Sequence, residues 1–232
     1  MKYVGEELDL FRHAQNWKRY FAGELRPYVR GRVLDAGCGM GVNAEHLWND
    51  AVTTYTFLEP DAHLLERLSE HVHLPYLQQA ERVNGTTAQL SGRTFDTILY
   101  LDVIEHIEDA RAELNRAAEL LAPGGHLLVL VPAFNYLYSD FDKAIGHYRR
   151  YDKRMLNAEL PAGMERLRMR YLDSTGLLLS LANKWFLHQP APKLSQVLFW
   201  DKRLVPVARV TDKLLFHTIG RSLISVSRKP TT

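Results

Sequence analysis

The string Asp35-Ala36-Gly37-Cys38-Gly39-Met40-Gly41 sets three glycines at alternate positions behind a carboxylate. Glycine lets a backbone turn tightly and approach a ligand closely, and a helix start behind it offers free N–H groups. The spacing is G-x-G-x-G. A dinucleotide-binding turn would want its third glycine where Val42 stands, and the Lys-Ser/Thr pair of a phosphate loop is missing. Asp35 would repel a phosphate but pair with an ammonium group. Glu59, further along, offers two acceptor oxygens to the hydroxyls of a ribose. The turn therefore suits a small cationic or neutral cofactor better than a pyrophosphate.

Two further clusters could act on a substrate. Asp102-Val103-Ile104-Glu105-His106 gathers two carboxylates and an imidazole. No metal is expected there, although Asp102, Glu105 and His106 are the set that would hold a divalent cation. The second cluster is the string GHYRRY, residues 146–151. His147 could take a proton from a hydroxyl. Arg149 and Arg150 could hold a carboxylate or phosphate, and Tyr148 and Tyr151 could line the pocket. His63, His71, His73 and His126 have no partner at a ligand-like spacing, and Cys38 fits its turn by small size.

The elements that must position these groups alternate. Residues 8–29 read as a helix broken near Pro27. Strands follow at 32–37, 53–59, 81–87, 95–103 and 126–133. Between them lie helices at 42–50, 61–72 and 109–121, the last stopped by Pro123-Gly124-Gly125. Such alternation implies a parallel sheet with right-handed crossovers, and places the glycine turn and both clusters at its carboxyl end. After residue 133 the rhythm breaks. Residues 164–174 read as a sixth strand, and 177–210 as two apolar helical stretches separated by HQPAPK, residues 188–193. RSLISVSRK, residues 221–229, alternates as a final strand at or next to an edge. The expected division is one domain, 1–232: a helical segment to 30, a cofactor-binding core 31–133, a substrate loop and cap 134–215, and the last strand 216–232.

Composition agrees with one globular domain. The chain has 232 residues, 46% hydrophobic and 24% charged, with a net charge of +2. That balance argues against wholesale nucleic-acid binding. One cysteine excludes an internal disulfide and fits a reducing, cytoplasmic compartment. The opening MKYVGEELDL is too acidic for a signal peptide, and the apolar runs fall short of the ~20 residues that cross a bilayer.

VLDAGCGMG, FLEP, FDTILYLDVIEHIED and LAPGGHLLVLVP, in that order, resemble the class I S-adenosylmethionine-dependent methyltransferases. The resemblance covers about residues 30–132. It implies an α/β, Rossmann-like, doubly wound sheet of seven strands, mostly parallel with an antiparallel last strand. It also implies S-adenosyl-L-methionine as cofactor and S-adenosyl-L-homocysteine as product. Asp35, Gly37, Cys38 and Gly39 would meet the methionine end, Glu59 the ribose, and Pro60 the adenine. Thr86 and Thr87 stand where many members carry an adenine-side Asp. Leu101, Asp102 and His106 would lie beside the sulfonium, with His106 and His147 as candidate catalytic groups. GHYRRY, with the N-W-K-x-Y of Asn16, Trp17, Lys18 and Tyr20, resembles a bacterial branch found in natural-product and surface-glycan loci. There Trp17 and Tyr20 would close over the cofactor.

The expected activity is methyl transfer to a small-molecule acceptor, an oxygen of a hydroxyl or carboxylate on a natural-product or glycan-type substrate. The alternatives are a lipid-linked or membrane-surface substrate, and a non-catalytic cofactor-binding module. The lipid-linked or membrane-surface alternative rests on residues 143–170, with eight basic residues against three acids, and 184–213, with six against two. Apolar side chains interleave with them. A cap that turns its apolar face onto the sheet accounts for that pattern, and so does peripheral contact with anionic lipid.

Overall fold

The computed structural model describes residues 7–187, 189 and 191–231. At its centre are seven strands: β1 (Gly31–Ala36), β2 (Val52–Glu59), β3 (Glu81–Asn84), β4 (Phe95–Leu101), β5 (Leu121–Pro132), β6 (Glu165–Leu172) and β7 (Ser222–Arg228). They form one sheet in the order β3-β2-β1-β4-β5-β7-β6. β1 to β5 are parallel, and β7 runs antiparallel to both β5 and β6. The expected Rossmann-like sheet is present. Its strand order reverses between β1 and β4, which opens a crevice at their carboxyl ends.

Near-continuous apolar strands bury both faces of the sheet. Val33, Leu99, Leu128 and Leu130 face one core, while Leu34, Ile98, Tyr100 and Val129 face the other. Each such side chain, fully buried, contributes about 1.5–3 kcal/mol. β7 is buried along Ser222–Ser227 because β6 covers its far side, so it lies one strand in from the edge.

Several helices are shorter than their patterns suggest. The 8–29 stretch is a helix Glu7–Phe11, a turn, a second helix Gln15–Leu25, and a 3-10 turn Arg26–Tyr28 that holds Pro27. The 42–50 helix is the single turn Ala44–Leu47, ended where Trp48 goes extended. The 61–72 helix divides at Arg67 into Ala62–Glu66, capped by Asp61, and Leu68–His71. The helix Ala110–Leu120 ends before Pro123-Gly124-Gly125. Those residues instead bulge the start of β5, where Leu121 pairs with Phe95 and the next pair is His126 with Thr97.

The cap comprises Ser174–Ala182, a π turn Asn183–Leu187, Leu194–Phe199, a π turn Trp200–Leu204, and Val205–Leu214. His188 and Pro190 of the expected HQPAPK break lie outside the described residues. Val197, Trp200 and Val205 join the core on the face that holds Gln15–Leu25.

Candidate active site

The glycine turn leaves β1 on the switch-point side. Gly37, Gly39 and Gly41 all have positive φ, at 68°, 56° and 71°. A Cβ on Gly37 would stand 2.7 Å from Val103, and one on Gly41 2.2 Å from Leu68, so no side chain fits at either position. Asp35 is buried beside the turn and accepts a hydrogen bond from the Tyr55 hydroxyl at 2.9 Å. Burial pushes its carboxyl up to about 7, and nearby Glu59 adds to the effect. Glu59 accepts from the N–H groups of Gly39 at 2.9 Å and Asp61 at 3.0 Å. Its carboxyl is raised by burial against the pull of those two amides. Among the described residues neither acid has a cationic partner in an ion pair.

These residues fit the cofactor class that the glycine turn suggests. Asp35 is a buried carboxylate without a counter-ion, which suits an ammonium or sulfonium ligand. Glu59 uses two of its roughly four acceptor directions, which leaves two to offer a ligand's hydroxyls. Leu8 of the Glu7–Phe11 helix lies over the turn, 3.6 Å from where a Cβ on Gly39 would be. Arg67 holds that helix by donating to both Asp9 oxygens, at 2.6 and 3.1 Å.

The other residues expected around the cofactor are placed differently. Trp17 and Tyr20 are buried, and Trp17 packs on Phe21 and Trp200. The Tyr20 hydroxyl donates to Asp212 at 2.8 Å, and the Trp17 backbone N–H to Asp201 at 2.9 Å. N-W-K-x-Y thus docks the N-terminal helix on the cap, through the Trp17 ring on Trp200, the Trp17 backbone N–H on Asp201 and the Tyr20 hydroxyl on Asp212. Lys18 donates to the Phe11 carbonyl at 2.7 Å. Burial pushes its ammonium down to about 8 against the pull of Asp201 and Asp102. Thr86 caps the 3-10 turn that follows β3, with its hydroxyl on Gln89. The Thr87 hydroxyl donates to Glu113. Both threonine hydroxyls are committed to these neighbours rather than to the crevice. Leu101 is buried at the end of β4, Cys38 is buried in the turn, and the Pro60 carbonyl accepts from Asn84.

Asp102 follows β4 with φ 57°, a left-handed conformation uncommon outside glycine and frequent at functional sites. It is open to water yet walled by protein, and that setting pushes its carboxyl up to about 6. His147, Arg221, Lys18 and Arg150 pull the other way. Glu105 is fully buried, and neither of its oxygens has a hydrogen-bond partner among the described residues. Burial, with Asp102 nearby, drives its carboxyl far above the usual carboxylate range.

The GHYRRY loop returns onto this cluster. Ser139 and Asp142 form a capping box around the short helix Asp140–Ala144. Asp142 is fully buried and meets His147 Nδ1 at 2.9 Å. Arg150 donates to both Asp142 oxygens, at 2.8 and 3.0 Å. Burial opposes ionisation of Asp142, but His147, Arg150 and Ser139 hold its carboxyl well below the usual range. His147 Nε2 then faces Glu105 at 4.0 Å. The His106 ring lies edge-on to His147, centroids 4.5 Å apart, and burial together with His147 pushes it down to about 4. Ligand atoms of Glu105, His106 and His147 lie within 4.8 Å of one another, so the cation-sized grouping contains His147 rather than Asp102.

The remaining loop residues have other partners. Arg149 pairs with Glu159 at 3.2 Å, and Arg150 with Asp142, so both guanidiniums are already neutralised. Tyr151 is fully buried with its hydroxyl on Glu159, while Tyr148 is exposed. Asp142 escaped notice, although S-x-x-D at residues 139–142 is a capping signal four residues long. Arg221 escaped too. It pairs with Asp173 at 3.2 Å and lies 4.1 Å over Trp200, contacts that no local pattern announces. Phe134, with φ 64° at the end of β5, stacks between Tyr136 and Tyr171 beside the loop. Two shallow hollows lie at the opposite end of the sheet, around Gly31, Asp96 and Gly124, away from the carboxyl ends where doubly wound sheets bind ligands.

The sheet order and the acid-flanked glycine turn define a class I, S-adenosylmethionine-type transferase fold. Residues 9–182 match the family described as a methyltransferase domain, and the chain belongs to that family. It is an S-adenosylmethionine-dependent methyltransferase. A ubiquinone biosynthesis O-methyltransferase of Xanthomonas axonopodis pv. citri is 29% identical over 184 residues, covering 72% of this chain and 74% of the relative. Two solved structures share the fold. The [4+2]-cyclase SpnF superposes with a TM-score of 0.62 at 17% identity, covering 94% of this chain and 81% of SpnF. The N-methyltransferase NodS of Bradyrhizobium japonicum WM9, in complex with S-adenosyl-L-homocysteine, superposes with 0.56 at 15% identity, covering 94% and 86%.

Proposed function

We propose that the enzyme methylates a hydroxyl oxygen of a small, apolar or aromatic acceptor, with His147 as the base. The observation that carries this reading is the buried Asp142–His147 pair beside the switch point. The bound cofactor supplies a methyl group already activated on a positively charged sulfur. Asp35 would hold the ammonium end of the cofactor and Glu59 its ribose. Asp142 accepts the Nδ1 proton of His147 and so fixes the tautomer that leaves Nε2 as acceptor. Nε2 takes the hydroxyl proton while the oxygen–methyl bond forms and the sulfur–methyl bond breaks. Arg150 keeps Asp142 ionised throughout. Phe134, Tyr136 and Tyr171 offer an aromatic wall to the acceptor. The name of the Xanthomonas relative supports oxygen as the nucleophile. Substitution His147→Ala should lower kcat by about 10²–10⁴-fold and leave S-adenosylhomocysteine affinity unchanged. Unchanged turnover would remove the role.

A second reading rests on the orphaned oxygens of Glu105. A divalent cation held by Glu105, His106 and His147 would bind the acceptor oxygen directly, with His147 as ligand instead of base. Dialysis against a chelator followed by an activity assay separates the two: loss restored by Mg²⁺ or Zn²⁺ favours the cation.

A further inference from the structure

The cap does not turn all its apolar side chains onto the sheet. Fifteen large apolar or aromatic side chains are exposed among the described residues, and twelve of them fall within residues 178–219. Phe216 is 85% exposed, Phe186 77% and Trp185 61%. The helix Val205–Leu214 buries Val205, Ala208 and Asp212 and exposes Val207, Val210 and Leu214, so it is apolar on both sides. Phe216 and His217 both hold positive φ, at 51° and 54°. That strained turn sends Phe216 outward while burying His217. A monomer rarely exposes so many large apolar side chains on one segment without a use for them.

The charges on the cap sort by sign. Asp201 and Asp212, the two acids within residues 184–213, are buried. Asp201 accepts from Asn16 and Trp17, and Asp212 from Tyr20, Asp173 and Ser174. Lys184, Lys193, Lys202, Arg203, Arg209 and Lys213 are all exposed. The outer face is therefore apolar and positive, with no exposed acid. No helix among the described residues is long and apolar enough to cross a membrane. A second copy on a two-fold axis would set cations against cations over the same patch.

We propose that the exposed, all-positive face of the cap, residues 178–219, docks on the surface of a bilayer rich in anionic lipid. Trp185, Phe186 and Phe216 would enter the interfacial layer, and the lysines and arginines would meet lipid phosphates while their stems lie on the acyl boundary. Lys184 donates to the Tyr136 carbonyl, so the docking face adjoins the aromatic wall at the end of β5. Delivery of a lipophilic acceptor from the bilayer rests on the proposed transfer reaction; docking itself does not.

Flotation of the full chain with vesicles tests this. Vesicles of phosphatidylcholine mixed with phosphatidylglycerol should carry the protein upward, and vesicles of phosphatidylcholine alone should not. The double substitution Phe186→Ser, Phe216→Ser should weaken partitioning by about tenfold for each ring. The pair Lys202→Glu, Arg203→Glu should weaken it by about fivefold or more for each charge. Both variants should keep the wild-type melting temperature and S-adenosylhomocysteine affinity, because the altered side chains face water. Absence of flotation with the anionic vesicles overturns the proposal, as does flotation that neither variant reduces. A stable dimer in sedimentation that the Phe186→Ser, Phe216→Ser variant dissociates would assign the face to self-association and overturn it equally.

Discussion

The two sides of the switch point treat their carboxylates in opposite ways. On the β1–β2 side, Asp35 and Glu59 are buried among neutral donors, a tyrosine hydroxyl and two backbone amides. On the β4–β5 side, Asp142 is ion-paired with Arg150 and hydrogen-bonded to His147, Glu159 pairs with Arg149 and Asp173 with Arg221, while Glu105 is the exception, buried with no hydrogen-bond partner among the described residues. A buried acid with no counter-ion is costly and persists where a ligand brings the cation. A buried acid with its cation in place fixes geometry and repels further anions. On the proposed reading the first side would receive a positive cofactor, and the second holds an imidazole in one orientation.

The largest effect should come from removing the turn on which the first side depends. Gly41→Val sets a branched side chain at φ 71°, into Leu68 and Val72. It should cost about 3–5 kcal/mol and abolish S-adenosylhomocysteine binding, as read by thermal melting and calorimetry. Gly92 also has positive φ but open space around it, so Gly92→Ala should cost only about 1–2 kcal/mol. Equal losses at the two positions would mean that the turn is not what the cofactor side needs.

Next in size is the second side. Asp142→Asn keeps the shape but removes the charge that orients His147. Turnover should fall by roughly 10²-fold with cofactor affinity unchanged, and the pH profile of kcat should shift. A loss of cofactor affinity instead would show that the two sides are not separable.

The smallest effect is on pH. In the free protein the Asp35 carboxyl is raised to about 7. Its contribution to stability is thus full below the ordinary carboxylate range and is lost as pH rises through about 7. A bound ammonium favours the ionised form and reverses this. S-adenosylhomocysteine affinity should therefore climb by up to tenfold per pH unit below about 7 and level off above it. Asp35→Asn should flatten the curve; a flat curve in the unsubstituted enzyme would detach Asp35 from the ligand.

The same division explains what could be read from the sequence. The cofactor side is local: glycines, an acid before them and an acid at the end of the next strand are fixed by short spacings and strand ends, and they lie together as read. The acceptor side is long-range. His147 was visible as a histidine in a loop, but its orienting Asp142 only as a cap signal, and Arg221 not at all, because their partners meet through tertiary packing. Arg149 and Arg150 look like anion receptors in one dimension and are ion-paired in three. Trp17 and Tyr20 likewise look like cofactor aromatics in one dimension, whereas Asp201 and Asp212, nearly two hundred residues away in sequence, claim the Trp17 backbone N–H and the Tyr20 hydroxyl. Helix boundaries failed where the chain turns into the core at residues 12–14 and at Arg67, since periodicity continues across both breaks. The cap's helices were legible; which of their faces meets water was not, because both faces are apolar.

β7 lies between β5 and β6, and Arg221 precedes it directly. β6 therefore has no partner strand until residues 222–228 have been made, and the aromatic wall that includes Tyr171 has nothing to lean on. The acceptor side therefore depends on nearly the last of the described chain. The core on the Gln15–Leu25 face also draws on late residues, Val197, Trp200, Val205, Ile224 and Val226, so each side of the crevice leans on chain far from it in sequence.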